Sequence, residues 1–301
     1  MIEFLIFVLS LPVLYYGAKL LTDGARGIAK AAGISEFVIG ATVVAFGTSL
    51  PELASSAFAM ISGHPGIVVG NVIGSNLANI GLALGFAGML YPIYVSRQIT
   101  DIDIPFLLAS AAANLVVFVD LSVSWVEGLI LLLMYLAFLN HEISMREDSS
   151  AKAEGTLHPK HLVSIVVGAL LLYFGARYLV SSALAISEAL SISESVVAFL
   201  LVAIGTSLPE ITTSVVAARA GKGEIAIGNV MGSNAFNSLI ILGSSSFLGV
   251  VTVGSSFLYS TLPSMILVSV LLGFMSLNNR ITRLEGSLLF LIYCALVINL
   301  L

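Results

Sequence analysis

The chain has 301 residues, 58% of them hydrophobic and 10% charged. Soluble domains carry roughly 25% charged residues, so this supply cannot cover a water-facing surface, and a soluble globular protein is excluded in favour of an integral membrane protein. The net charge of −5 says little about partners in so apolar a chain, and the single cysteine, Cys294, excludes a disulfide framework or a metal–thiolate site.

The apolar stretches run about 18 to 25 residues, enough for a helix to cross hydrocarbon. They lack the period-2 alternation of an outer-membrane barrel. Ten helical spans are expected near 2–22, 37–61, 66–91, 103–119, 123–142, 161–182, 195–218, 224–250, 257–276 and 284–301. The first has neither a basic leader nor an evident cleavage site and reads as a span rather than a signal peptide. The second contains AFGTSLPELASS at 45–56, and the third contains GNVIGSNLAN at 70–79. Between the fifth and sixth lies the one substantial polar stretch, EISMREDSSAKAEGTLHPK. His141, His158 and His161 fall in or beside it and His64 in a short turn, where they read as surface residues.

Eleven of the twelve basic residues fall on the side reached after an odd number of spans; only Arg177 falls opposite. The positive-inside rule makes that side cytoplasmic and points both termini outward.

The second half repeats the first. Gly47-Thr48-Ser49-Leu50-Pro51-Glu52 recurs as Gly205-Thr206-Ser207-Leu208-Pro209-Glu210, an offset of 158, and the same offset aligns GNVIGSNLAN with GNVMGSNAFN at 228–237. Twelve of 19 positions are identical between 34–52 and 192–210. Five spans per copy is an odd number, so the second copy enters the membrane upside down, as in the inverted repeats of secondary transporters. The expected fold is therefore an all-α polytopic membrane protein of ten transmembrane helices. It comprises one five-helix repeat at 1–143, a cytoplasmic loop at 144–160 and an inverted five-helix repeat at 161–301.

Of seventeen Asp and Glu residues, only Glu52 and Glu210 fall mid-span, and they are repeat equivalents. A carboxylate at the bilayer centre costs about 2.5 kcal/mol or considerably more, so it is paired or lines a polar pathway. Pro51 and Pro209 interrupt helical bonding to the carbonyls of Gly47 and Gly205, and irregular backbone at that depth belongs beside a polar cavity. Thr48, Ser49, Thr206 and Ser207 add hydroxyls. Ser75, Asn76 and Asn79, with Ser233, Asn234 and Asn237, form a second polar face, the i, i+4 pairs lying on one helical stripe. The donor set is all oxygen, with no histidine, cysteine or base, which suits hard cations. Two charges and flexible oxygens fit Ca²⁺, fit Mg²⁺ less well, and would also hold several Na⁺ ions.

Paired GTSLPE motifs, each followed by GNV-x-GSN, resemble the alpha-repeats of the calcium/cation antiporter superfamily, and specifically the sodium/calcium exchangers, over essentially the whole chain. The resemblance implies that Glu52 and Glu210 bind both Ca²⁺ and Na⁺. It also implies that Thr48, Ser49, Thr206, Ser207, Ser75, Ser233 and Asn79 supply oxygens, and that the Ala45 and Ala203 carbonyls complete the sodium subsites. In such exchangers the first and sixth helices slide to alternate access, and Gly17 and Gly175 are compatible with that. One departure stands out: Asn237 takes the place of an aspartate found in many prokaryotic members and in the potassium-dependent branch. The amide argues against potassium dependence and leaves two central carboxylates.

The function so implied is Na⁺/Ca²⁺ antiport by alternating access, with no cofactor, no enzymatic activity, no nucleic acid and no obligate protein partner. The proton-coupled branch is the alternative, although it places a Glu-His pair where this chain has Gly74-Ser75 and Gly232-Ser233. A channel would not require inverted repeats. An intramembrane hydrolase would need a base beside the mid-span serines, and none is there.

Overall fold

The computed structural model describes residues 2–31, 45–97, 99–146 and 158–300. Regular structure there is helical apart from four two-residue strands. Among the described residues, seven helices are long and apolar enough to cross a membrane: Ile2–Ala31, Pro65–Leu90, Ile99–Val117, Pro159–Leu190, Gly223–Ser245, Ser255–Ser276 and Arg283–Leu300. The bent pair Glu194–Thr206 and Leu208–Arg219 makes an eighth.

Two expected spans are shorter among the described residues. The span at 37–61 begins outside them, and its visible part is Ala45–Thr48 followed by Leu50–Ile61. The span at 123–142 corresponds to the Trp125–Arg146 helix, whose apolar stretch Trp125–His141 is also short. The Ile34-Ser35-Glu36 alignment and the centre of the polar loop likewise lie outside the described residues.

Two helices form the interior. Pro65–Leu90 is buried on nearly all sides by Ile67, Val68, Val69, Val72, Ile73 and Leu77, and Gly223–Ser245 contributes Ile227, Val230, Leu239 and Ile241. The outer helices are apolar outward as well. Leu162, Val163, Val166, Leu170 and Phe174 on Pro159–Leu190 are exposed, a surface suited to lipid and not to water.

Ile2–Ala31 packs along Pro159–Leu190, with small residues at the crossing. A Cβ on Gly17 would lie 2.8 Å from the Leu172 nitrogen, and one on Gly168 would lie 2.6 Å from the Leu21 nitrogen. Only glycine permits so close an approach of backbones, the usual device for tight helix packing in membranes.

The four strands tie loops together in a repeat-related way. β1 (Ile93–Tyr94) pairs antiparallel with β4 (Arg280–Ile281), and β2 (Ser122–Val123) with β3 (Val251–Thr252). Adding 158 to the β1 positions gives β3, and adding it to β2 gives β4. Under that shift the register Ile93↔Ile281 becomes Val251↔Val123. The flanking bonds obey the same rule: the Val95 N–H donates to the Asn279 carbonyl at 3.0 Å, and the Val253 N–H to the Leu121 carbonyl at 3.2 Å. Capping boxes follow, with Ser124 bonded to Glu127 and Thr282 to Glu285. These satisfy orphan donors and start the Trp125 and Arg283 helices at equivalent places.

Candidate cation-binding site

Both GTSLPE motifs break their helix at the serine. Ser49 has φ −91° and ψ 6°, and Ser207 has φ −81° and ψ 6°, outside the helical region. The next helix restarts with proline as its second residue, where the missing N–H has no intrahelical partner to lose. In the second repeat the break bends the span by 46°. The following helices loosen too: π-helical turns run Ala78–Leu84 and Phe236–Ile241, beginning at repeat-equivalent residues. Asn79 and Asn237 are the second residues of these turns, which commonly mark functional sites.

The breaks aim the serines across the repeats. Ser49 Oγ donates to Glu210 Oε1 at 3.2 Å, and Ser207 Oγ donates to Glu52 Oε1 at 3.1 Å. Each carboxylate is thus held by the other half's motif. Glu52 is 1% exposed and Glu210 0%. Ser233 Oγ also donates to Glu210 Oε1 at 3.2 Å, whereas its counterpart Ser75 turns to Asn71 Oδ1 at 3.4 Å. Thr206 Oγ1 donates to the Val202 carbonyl at 3.0 Å, while Thr48 Oγ1 has no hydrogen-bond partner among the described residues. The Ala203 carbonyl accepts the Ser207 N–H at 3.0 Å, and Ala45 opens the short Ala45–Thr48 helix.

Asn79 Nδ2 donates to Asn234 Oδ1 at 3.0 Å, which joins the two polar helices at the centre. Asn237 is fully buried, and among the described residues neither its Oδ1 nor its Nδ2 has a partner. The expected polar faces do converge, but unequally.

Residues outside the expected set hold the glutamate backbone. Asn71 Nδ2 donates to the Glu52 carbonyl at 3.2 Å and to Ser56 Oγ at 3.0 Å; Asn229 Nδ2 does the same to the Glu210 carbonyl and Ser214 Oγ, both at 3.4 Å. The repeat itself carried the signal, because both asparagines and both serines are 158 residues apart.

Several buried oxygens have no partner among the described residues: Oε2 of Glu52 and Glu210, Oδ1 of Asn76, Asn79 and Asn237, and Oγ1 of Thr48. Buried polar atoms are normally satisfied, and an isolated buried carboxylate is costly. No basic side chain among the described residues bonds either glutamate. Buried oxygens without donors would be satisfied by a cation, and this donor chemistry fits a hard one. A cavity of about 550 Å³ reaches the break, lined there by Gly47, Thr48, Pro51, Gly205, Thr206 and Pro209 and by Tyr15, Lys19, Thr22 and Asp23 of the first helix.

The family model described as "Sodium/calcium exchanger protein" matches residues 2–143 and 160–301. The chain belongs to the sodium/calcium exchanger family. Among relatives of this exchanger, the sodium/calcium exchanger MaX1 of Methanosarcina acetivorans is 35% identical, covering 99% of this chain and 98% of its own. The "Uncharacterized membrane protein MJ0091" of Methanocaldococcus jannaschii is also 35% identical, covering 98% and 96%. Among solved structures, the sodium-calcium exchanger NCX_Mj soaked with Na⁺ and Sr²⁺ superposes with a TM-score of 0.71 at 33% identity, covering 98% of this chain and 97% of that one. This family member is a multi-pass helical membrane protein of a transporter family, and the sequence reading of its family holds.

Proposed function

We propose that this exchanger is a secondary antiporter that trades Na⁺ for Ca²⁺ by alternating access at a site formed where its two motifs meet. The observation that carries the reading is the crossed pair of serine–glutamate bonds, which leaves one oxygen of each buried carboxylate unpartnered. In this reading ten spans form two inverted five-helix repeats, 1–143 and 161–301, with the linking segment 144–160 cytoplasmic and both termini outside. The repeat-related strand ribbons support it, because one joins loops after the third and ninth helical spans and the other joins loops after the fourth and eighth.

Glu52 and Glu210 supply two charges near the midplane. Ser49, Ser207, Thr48, Thr206, Ser75, Ser233, Asn79 and Asn237 supply neutral oxygens, and the Ala45 and Ala203 carbonyls contribute backbone ones. Ca²⁺ accepts about six to eight oxygens, and several Na⁺ ions would share the same set. Occupancy by either neutralises the carboxylates enough for the site to change its facing. The empty site switches poorly because bare charges would cross a low-dielectric barrier. Exchange is thereby obligatory.

Radiolabelled Ca²⁺ uptake into proteoliposomes tests the reading. Uptake driven by internal Na⁺, and not by internal K⁺ or a pH gradient, is expected. Uptake under a pH gradient alone would assign proton coupling instead.

A further inference from the structure

The two-fold relation between the halves fails at one pair of side chains. Asn234 Nδ2 donates to the Asn76 carbonyl at 3.1 Å, so Asn234 Oδ1 is the atom that accepts from Asn79 Nδ2 at 3.0 Å. Asn79 is therefore held with its own Oδ1 free. Repeating this arrangement at the equivalent residues would have Asn76 donate to the Asn234 carbonyl and accept from Asn237. Neither bond forms. Asn76 Nδ2 goes to Ser238 Oγ at 2.7 Å and to Met265 Sδ at 3.5 Å, while Asn76 Oδ1 and both side-chain polar atoms of Asn237 have no partner among the described residues.

The cause lies in residues that one half has and the other lacks. Ser238 Oγ also accepts from Asn114 Nδ2 at 3.0 Å. The repeat counterparts of Ser238 and Asn114 are Ile80 and Leu272, which carry no polar atom. Nothing can therefore draw Asn234 aside as Ser238 draws Asn76. Asn114, Asn76, Ser238 and Asn237 are all at most 2% exposed, so no bulk water substitutes for the missing bonds.

We infer that Ser238 and Asn114 are positioning residues that hold Asn76 away from Asn237. Asn237 then enters the cation site as an amide that no hydrogen bond restrains, opposite an Asn79 that is fixed. The inference rests on the Na⁺/Ca²⁺ exchange reading of that site. Its physical content is an asymmetry of preorganisation. A fixed ligand loses little freedom when an ion arrives, and an unrestrained one loses more. Asn237 thus weakens ion retention relative to a fully symmetric site and speeds release.

The test compares wild type, Ser238→Ala, Ser238→Thr, Asn76→Ala and the double variant Asn76→Ala/Ser238→Ala in Na⁺-loaded proteoliposomes, reading both the half-saturating Ca²⁺ concentration and the maximal rate. Removing the Ser238 hydroxyl lets Asn76 turn and accept from Asn237. The half-saturating concentration and the maximal rate should then both fall about two- to tenfold, the factor one net hydrogen bond represents. The double variant leaves Asn237 no acceptor and should match Asn76→Ala alone, so that the Ser238 effect vanishes in that background, and Ser238→Thr, which keeps the hydroxyl, should match wild type. Should Ser238→Ala unfold in detergent, Ser238→Cys, a weaker acceptor, takes its place with the same expectation. An unchanged or raised half-saturating concentration in Ser238→Ala overturns the inference, as does an equal fall from Asn76→Ala to the double variant. Wild type that shows no Na⁺-driven uptake overturns the exchange reading itself, before any variant is compared.

Discussion

Ser207 donates its hydroxyl to Glu52 Oε1 at 3.1 Å across 155 positions of sequence, and Ser49 returns the contact to Glu210. Neither repeat completes its own carboxylate. The candidate site exists only where the two broken helices face one another, which explains why it takes a duplicated motif to build it.

Glu52→Gln and Glu210→Gln each keep shape and remove one formal charge from a pair buried without a basic partner. Loss of one buried charge from a charged contact costs about 2–5 kcal/mol. Na⁺-driven Ca²⁺ uptake should fall about thirtyfold or more. A variant that keeps uptake comparable to wild type would sink the two-carboxylate site.

Ser207→Ala and Ser49→Ala each delete one bond to a carboxylate. Hydrogen bonds to charged groups are worth about 1.5–3 kcal/mol. The half-saturating Ca²⁺ concentration should rise about tenfold or more in each variant. Equal affinities in wild type and both variants would show that the crossed contacts do not order the site.

Asn71→Ala removes the donor to the Glu52 carbonyl and to Ser56, and Asn229→Ala does so for Glu210 and Ser214. Leaving buried acceptors unsatisfied costs about 1–3 kcal/mol. Thermal unfolding in detergent should shift down in both. Asn71→Ala should lose more, since its bonds at 3.2 and 3.0 Å are shorter than the 3.4 Å pair. The reverse order of melting temperatures would contradict this.

Gly17→Val places side-chain atoms against the Leu172 nitrogen and the Gly168 carbonyl, where even a Cβ would lie 2.8 and 3.0 Å away. Overpacking of this kind costs about 1–3 kcal/mol. A lower melting temperature with reduced transport is expected, and a variant that melts and transports like wild type would mean the two helices do not pack this closely.

His64 and Glu194 form a half-exposed pair at 2.9 Å, at the start of the bent seventh span and away from the carboxylates. Exposed pairs contribute about 0–1 kcal/mol. His64→Ala should leave the melting temperature and the half-saturating Ca²⁺ concentration nearly unchanged, and a large drop in either would give this pair a role that its exposure does not suggest.

Much of this protein can be read from sequence because the relevant signals are local or repetitive. Length and apolar content fix a membrane class. The offset of 158 pairs Glu52 with Glu210 without any coordinates, and a proline four residues after a glycine brackets the helix breaks found at Ser49 and Ser207. Hydroxyl and amide oxygens near two carboxylates, with no nitrogen or sulfur donor, point to a hard cation. Tertiary structure decides which of those oxygens meet. That Ser49 serves Glu210 and not Glu52, that Asn71 and Asn229 anchor the glutamate backbone, and that Ser238 with Asn114 breaks the symmetry at Asn76 all depend on how helices cross. A duplicated sequence predicts equivalent neighbourhoods, but each side chain chooses among the acceptors that packing brings near it, and Ser238 in place of the isoleucine at its repeat counterpart accompanies a redirected Asn76 amide.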